Sequence, residues 1–371
     1  MNIYQRLGLK RVINASGKMT LLGVSSVSAE VMQAVTEAAG SFVEIDALVD
    51  KTGELISGHT GAQDSYVTSC ASAGIAIAVA AAVTRGEPDG VARLPESSGR
   101  NQIVMLRGHN IDYGAPVTTA IRLGGGKVVE AGQSNLAAKW QLETAIGPQT
   151  AALFYVKSHH CVQKGMVALA DFVELACRFD LPLIVDAAAE EDLRVYVAAG
   201  ANMVIYSGAK AFDAPTSGFI TGDKRWIACC KAQHEGIARA MKIGKENMVG
   251  LVVALDRYRD ISQARENQLP QLEAMIEQIG ALRGLHAELE PDEAGRPIYR
   301  VRVKVDPTQC YLTATDVEAK LRTGDMAMYT RHYFLHQGVF SLDPRALHAE
   351  EMALIVDRLR EIVEGNQHAA D

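Results

Sequence analysis

Leu183-Ile184-Val185-Asp186-Ala187-Ala188-Ala189-Glu190 and, shortly after it, Met203-Val204-Ile205-Tyr206-Ser207-Gly208-Ala209-Lys210 decide the fold. In each, a short apolar run without polar alternation leads into small residues and an ionisable group. Runs of this kind predict strands buried on both faces, which means a mostly parallel sheet covered by helices. Working outward, residues 65–68, 102–106, 127–130 and 151–156 read as further strands of the same sheet. Residues 72–84, 115–123, 136–146 and 169–179 read as the helices between them. The chemistry of such a sheet belongs beyond the carboxyl ends of its strands.

After Gly222 the pattern changes. Helices are expected over 247–259 and 264–282, strands over 298–305, 326–329 and 338–341, and a closing helix over 346–363. Residues 291–297 read as a turn-rich surface loop. The chain is therefore expected to be α/β: an N-terminal arm (1–45), a large mostly parallel sheet domain (46–246) and a smaller α+β domain (247–371).

Four stretches follow strands and carry chemistry. Lys210 stands four residues past a buried strand among small residues. Its amine can lose a proton there and attack an aldehyde, the reaction that tethers pyridoxal 5′-phosphate (PLP) to a protein. Ser207 is within reach of the same cofactor, and the Gly-rich Thr216-Ser217-Gly218-Phe219-Ile220-Thr221-Gly222 lets backbone approach the site. A bare Ser-x-x-Lys also fits an ordinary surface loop. Asp186 has two readings: an N-cap for a helix from Ala187, or the carboxylate that keeps a pyridine nitrogen protonated. Ser69, Cys70, Ala71 and Ser72 lie where a strand gives way to a helix, a place for a phosphate or for a simple cap. In Leu106-Arg107-Gly108-His109-Asn110-Ile111-Asp112-Tyr113-Gly114, His109 and Tyr113 both offer a ring to stack on a pyridine, and the sequence leaves that choice open. His159 and His160 have no metal-ligand partner at suitable spacing, so no metal site is expected. Gly124-Gly125-Gly126 opens no helix and is not a dinucleotide fingerprint.

Composition narrows the function. Hydrophobic residues make up 48% and charged residues 22% of 371, enough for a large core, and the net charge is −7. With no Lys/Arg run, nucleic acid is not the expected partner. The six cysteines form no C-x-x-C pair, and a chain of this size needs no disulfide staples, which points to a reducing cytoplasm. Residues 1–6 lack a signal-peptide core. The most apolar stretch, 74–83, is far short of the ~20 residues that span a bilayer, so no membrane partner is expected.

Taken together, these stretches resemble the selenocysteine synthase (seryl-tRNA selenium transferase) superfamily of PLP enzymes of fold type I. Val12-Ile13-Asn14-Ala15-Ser16-Gly17 is similar to that family's INATG opening, and Ser207–Lys210 to its Ser-Gly-x-Lys segment. Arg239-Ala240-Met241-Lys242-Ile243-Gly244-Lys245 is similar to its RALRxDK segment. Tyr329-Thr330-Arg331 with Ser341-Leu342-Asp343-Pro344-Arg345 resembles its ARxEDGxLLLDLRT region. The selenium enzyme carries a tRNA-binding portion ahead of the opening motif, whereas that motif begins here at Ile13. The closer resemblance is to the catabolic, ammonia-lyase branch that acts on D-glucosaminate 6-phosphate.

The resemblance implies PLP held by Lys210, with Asp186 on its ring nitrogen and Ser207, Ser69, Cys70, Ala71, Ser72 and His109 around it. Lys210 and Asp186 would be the catalytic pair. The substrate would be a phosphorylated amino-sugar acid that loses water and then ammonia to give 2-keto-3-deoxygluconate 6-phosphate. Arg331 and Arg345 would grip its carboxylate, and Arg239, Lys242 and Lys245 its phosphate. A homodimer or larger homo-oligomer is also implied. The alternative is another reaction of the family: a transferase, aldolase or racemase.

Overall fold

The computed structural model describes residues 2–258, 268–293 and 295–367. They group into two units, Val27–Tyr258 and Met1–Ser26 with Arg259–Asp371. Strand β1 (Arg11–Ala15) belongs to the second. The first carries β2 (Asp64–Thr68), β3 (Gln102–Leu106), β4 (Lys127–Ala131), β5 (Thr150–Val156), β6 (Leu183–Asp186), β7 (Met203–Ser207) and β8 (Gly218–Gly222).

These seven strands lie in the order β2-β8-β7-β6-β5-β3-β4. β8 is antiparallel to both neighbours, and all other pairs are parallel. Reversing direction twice across β8 leaves β2 aligned with β7, so β2 to β7 all end on one edge of the sheet. The core lies on both faces. Val104, Leu106, Leu153 and Val185 pack with Phe172 and Leu175 on one side. Ile103, Phe154, Ile184 and Ile205 pack with Ile75, Ile77 and Ile121 on the other. This two-sided burial is why the strands carry no polar alternation.

The apolar stretch at 74–83 lies in helix Ala71–Thr84, buried nearly all round. Its small residues let it lie tight on the sheet: a Cβ on Gly74 would stand 2.9 Å from Ile205 Cγ2. No helix among the described residues is long and apolar enough to cross a membrane.

In the second unit, β9 (Leu285–Pro291), β10 (Tyr299–Val305) and β12 (Val339–Leu342) form an antiparallel sheet in the order β12-β10-β9, and β1 pairs in parallel with β11 (Met326–Thr330). Two strands differ from expectation. β9 alternates Leu285, Ala287 and Leu289 with His286, Glu288 and Glu290, the period of a half-exposed edge strand. β1 is held by its pairing with β11, a contact remote in sequence. The helix expected over 264–282 is described as Leu269–Gly280; residues 264–267 lie outside the described residues, as do Arg259 of the expected 247–259 helix and Ala294 of the 291–297 loop. Residues 1–45, read as one arm, divide at Ser26. The part from Val27 onward supplies helix Ala29–Ala39, which with Ile45–Thr60 packs on Lys245–Asp256 inside the first unit.

Candidate active site

The shared edge of the sheet brings four of the expected stretches together. Asp186 ends β6 and lies opposite Val156 of β5 and Ile205 of β7. Thr68 of β2 and Ser207 of β7 both face Gly218 at the start of β8. Residues 69–72 and Lys210 therefore leave the sheet on either side of one glycine.

Lys210 is half-buried on the single turn Gly208–Ala211, where Ser207 Oγ accepts its backbone N–H at 3.4 Å. Asp186 is 5% exposed. No helix follows it directly; the next is Val195–Ala198. Its Oδ1 accepts instead from the Ala188 N–H at 3.1 Å, a local turn bond. Burial raises the Asp186 carboxyl to about 6, against the pull of that N–H and of the Lys210 charge. The lysine and the acid are thus within electrostatic reach of each other.

Helix Ala71–Thr84 opens on Cys70, whose Sγ accepts the Ala73 N–H at 3.4 Å. Its first-turn amides need partners from outside the helix. Gly218 passes directly beneath: a Cβ there would stand 2.7 Å from Cys70 C and 2.8 Å from Ala71 N. Thr68 Oγ1 steadies the turn through Ser69 by donating to Cys70 O at 2.9 Å. Ser72 Oγ donates to the Tyr113 hydroxyl at 3.0 Å. Burial raises the Tyr113 phenol, with the charges of Asp186, Cys70 and Asp112 adding to it against the Ser72 bond. Tyr113 therefore stands within reach of both the helix start and Asp186.

His109 sits differently. It is 2% exposed, its Nδ1 accepts the Val156 N–H at 3.3 Å, and its ring meets Tyr155 edge-on at 4.7 Å and stacks with Phe172 at 6.3 Å. Burial lowers it to about 4, so it stays neutral at pH 7. The His159 and His160 rings lie 4.0 Å apart in the loop after β5, which Gln163 closes by donating to Ser158 O and Cys161 O at 2.9 and 2.8 Å. Cys161, which the sequence did not single out, has its thiol raised to about 12 by burial and by the Asp186 charge. A lone cysteine in a loop gives no sequence signal; only the fold brings it near Asp186. Among the described residues no group of three or more His, Cys, Asp or Glu is placed to hold a metal ion.

Of the basic residues expected on the substrate, Arg239 and Lys242 are exposed. Lys245 Nζ donates to Ala38 O at 2.5 Å and Ala39 O at 2.9 Å, closing the end of helix Ala29–Ala39. Arg331 and Arg345 belong to the second unit, where Arg345 grips Asp343 through Nε at 2.9 Å and Nη2 at 2.8 Å.

The family model of L-seryl-tRNA selenium transferase (SelA) matches residues 12–314, which take in the stretch from Val12 to Gly17, Asp186 and Lys210. The chain belongs to this family. Over 371 residues it is 68% identical to the D-glucosaminate-6-phosphate ammonia lyase of Salmonella typhimurium (strain 14028s / SGSC 2262), covering 100% of this chain and 99% of the relative. A solved structure of D-glucosaminate-6-phosphate ammonia-lyase superposes with a TM-score of 0.91 at 66% identity, covering 100% of both chains. The chain is also similar to a protein named for a different reaction: a 5'-C-glycyluridine monooxygenase-decarboxylase of Streptomyces sp is 40% identical over 365 residues, covering 97% of this chain and 92% of that one.

Proposed function

We propose that this chain is a PLP-dependent ammonia-lyase that removes water and then ammonia from D-glucosaminate 6-phosphate, giving 2-keto-3-deoxygluconate 6-phosphate. The observation that carries the reading is half-buried Lys210 within electrostatic reach of buried Asp186, at the strand ends where helix Ala71–Thr84 starts, in a chain 68% identical to a lyase of that name.

The residues fit the cofactor. Lys210 supplies a primary amine. Asp186 supplies a buried carboxyl whose elevated pKa marks a charge short of stabilising partners, a deficit that a protonated pyridine nitrogen would make good. The amides of Ala71 and Ser72, at the start of a long helix, suit a phosphate, and Gly218 leaves the backbone room to lie against them. Ser69, Cys70 and Ser207 border the same place; Tyr113 or His109 supplies the ring contact.

Bound PLP supplies an electron sink for the bond that breaks at the substrate's α-carbon. The chain's own residues do the rest. Lys210 would hold the cofactor through its amine and, with that amine free, would take the substrate's α-proton on Nζ. Asp186 would hold the pyridine nitrogen and favour its protonated form. Arg331 and Arg345 hold the carboxylate, and Arg239 and Lys242 meet the phosphate, with Lys245 fixing that segment through helix Ala29–Ala39. The α-proton and the β-hydroxyl would leave together as one water, and one water would then hydrolyse the released enamine to ammonia and the 2-keto acid. We place the enzyme in the cytoplasm as a homodimer or larger homo-oligomer, its cofactor domain built on the large sheet of the unit Val27–Tyr258 and its smaller domain on the other unit.

A different reaction on the same scaffold is the second reading, favoured by the 40% identity to a monooxygenase-decarboxylase. Product analysis separates the two. With D-glucosaminate 6-phosphate, equal amounts of ammonia and 2-keto acid are expected. Release of carbon dioxide, or amine retained in the product, would point to the second reading.

A further inference from the structure

Strand β5 outruns its pairing with β3. Their ladder ends with Met105 opposite Phe154, while β5 continues to Val156. Beyond Leu106 the chain of β3 turns aside through the single turn Arg107–His109. On its other flank Val156 lies opposite Asp186, and the Lys157 N–H donates to Asp186 O at 2.8 Å. The end of β6 therefore rests against the tip of β5.

Backbone groups buried at such a tip need partners, because a buried donor or acceptor left without one is costly. Two side chains continue the ladder where β3 has left it. His109 Nδ1 accepts the Val156 N–H at 3.3 Å, and Cys161 Sγ donates to Val156 O at 3.5 Å, both bonds buried. The residue opposite Asp186 thus has its N–H and its C=O each held by a side chain. One holder comes from the turn after β3 and the other from the loop after β5. The Val162 N–H joins that loop to that turn by donating to Gly108 O at 3.3 Å. Gly108 is packed so closely that a Cβ there would stand 2.6 Å from Met166 Sδ and 2.9 Å from Ser134 O.

The chemistry of both groups suits a lasting hold. An imidazole that accepts at Nδ1 carries its proton on Nε2. Burial lowers His109 to about 4, so this neutral form persists at pH 7. Burial and the Asp186 charge raise the Cys161 thiol to about 12, so it keeps its proton. The His109 ring, 2% exposed, is fixed by Tyr155 and Phe172, which themselves meet edge-on at 5.2 Å.

We infer that His109 is a positioning residue for Asp186, acting with Cys161 by holding the tip of β5 against which the acid's strand rests. Its Nδ1 is the working atom, through Val156 and Lys157, and not the face of its ring. An acid that pairs with a ring nitrogen must keep its place to within a fraction of its hydrogen-bond length, so a slack β5 weakens cofactor binding while the sheet stays folded. The inference rests on the PLP reading for what Asp186 meets.

The test separates the atom from the ring. His109→Phe keeps a ring and loses the acceptor; His109→Asn loses the ring and places Oδ1 where Nδ1 stands. PLP dissociation constants are measured by absorbance titration of cofactor-free protein, beside Tm. His109→Phe should weaken PLP binding about tenfold, the scale of a buried donor left without its partner. His109→Asn should stay within about threefold of the unaltered protein, although the lost ring packing lowers its Tm. In an Asp186→Asn background, His109→Phe should change the constant by less than about twofold, because the two residues act in series. Should His109→Phe fail to fold, Cys161→Ala probes the other half of the hold: PLP binding about threefold weaker, restored in Cys161→Ser. Affinity kept in His109→Phe and lost in His109→Asn would assign the role to the ring and overturn the inference. So would affinity that follows Tm in every variant, losses that simply add in the double variant, or an unchanged constant in Cys161→Ala. If the unaltered protein took up no PLP, the cofactor reading itself would fail, a result distinct from these.

Discussion

Asp186 bears a cost that its surroundings do not fully offset. Burial raises its carboxyl to about 6 in the folded chain, against about 3.9 when unfolded. A group raised on folding adds stability below its unfolded pKa and loses it as pH climbs through the folded value. Protein freed of cofactor should therefore lose up to about 3 kcal/mol between pH 4 and pH 8 from this one residue. Asp186→Asn keeps an acceptor for the Ala188 N–H and removes the buried charge. In cofactor-free protein it should raise Tm at pH 8 and change it little at pH 4; with PLP bound, the same variant should lose most of its activity. Calorimetry at the two pH values decides it, and equal effects at both would contradict the account. The places of Lys210 and Asp186 were legible in the sequence, because each follows a run too apolar to be anything but buried strand; their roles were implied only by the resemblance. The ring contact was not. His109 and Tyr113 are four residues apart, and only the backbone after β3 determines that Tyr113 reaches Ser72 while His109 turns toward Tyr155 and Phe172.

At the scale of elements, the meeting of β8 with the start of helix Ala71–Thr84 carries the site. Gly218 has no side chain because none fits: its Cβ would fall 2.7 Å from Cys70 C. Gly218→Ala should push the helix start away from β8 and displace the Ala71 and Ser72 amides together. The expected result is PLP affinity lower by tenfold or more with the sheet intact, measured by cofactor titration beside far-UV circular dichroism. Unchanged affinity would separate the helix start from the cofactor. The strands of the large sheet were readable because burial on both faces leaves a continuous apolar run. β9 and β1 were not, for opposite reasons: β9 is half-exposed beside a turn-rich loop, and β1 is defined by its pairing with β11, more than 300 residues away. The stretch from Val12 to Gly17 was legible as a resemblance, but the closeness of Gly17 to Asp343 and Arg345 came only from folding. Likewise Lys245, a phosphate contact by the resemblance, donates to the carbonyls that end helix Ala29–Ala39, a partner some 200 residues earlier.

For the whole molecule, the proposed assembly and chemistry can be tested together. If Lys242 serves a neighbouring subunit's site, inactive Lys210→Ala and inactive Lys242→Ala subunits should regain part of the activity when mixed, because some hybrids carry one intact site. Light scattering on the same samples should give an even-numbered oligomer that loosens when PLP is removed, through linkage of binding and stability. Hybrids without activity would remove the cross-subunit role of Lys242. The central claim, that Lys210 and its cofactor make this chain an ammonia-lyase, meets its most direct test in one assay. Holoenzyme is mixed with D-glucosaminate 6-phosphate, and ammonia and 2-keto acid are followed together, with Lys210→Ala alongside. Stoichiometric release of both by the holoenzyme, and a loss of several orders of magnitude in Lys210→Ala, is the predicted result. Ammonia release that survives the loss of Lys210, or a holoenzyme that leaves the acid untouched, would contradict it.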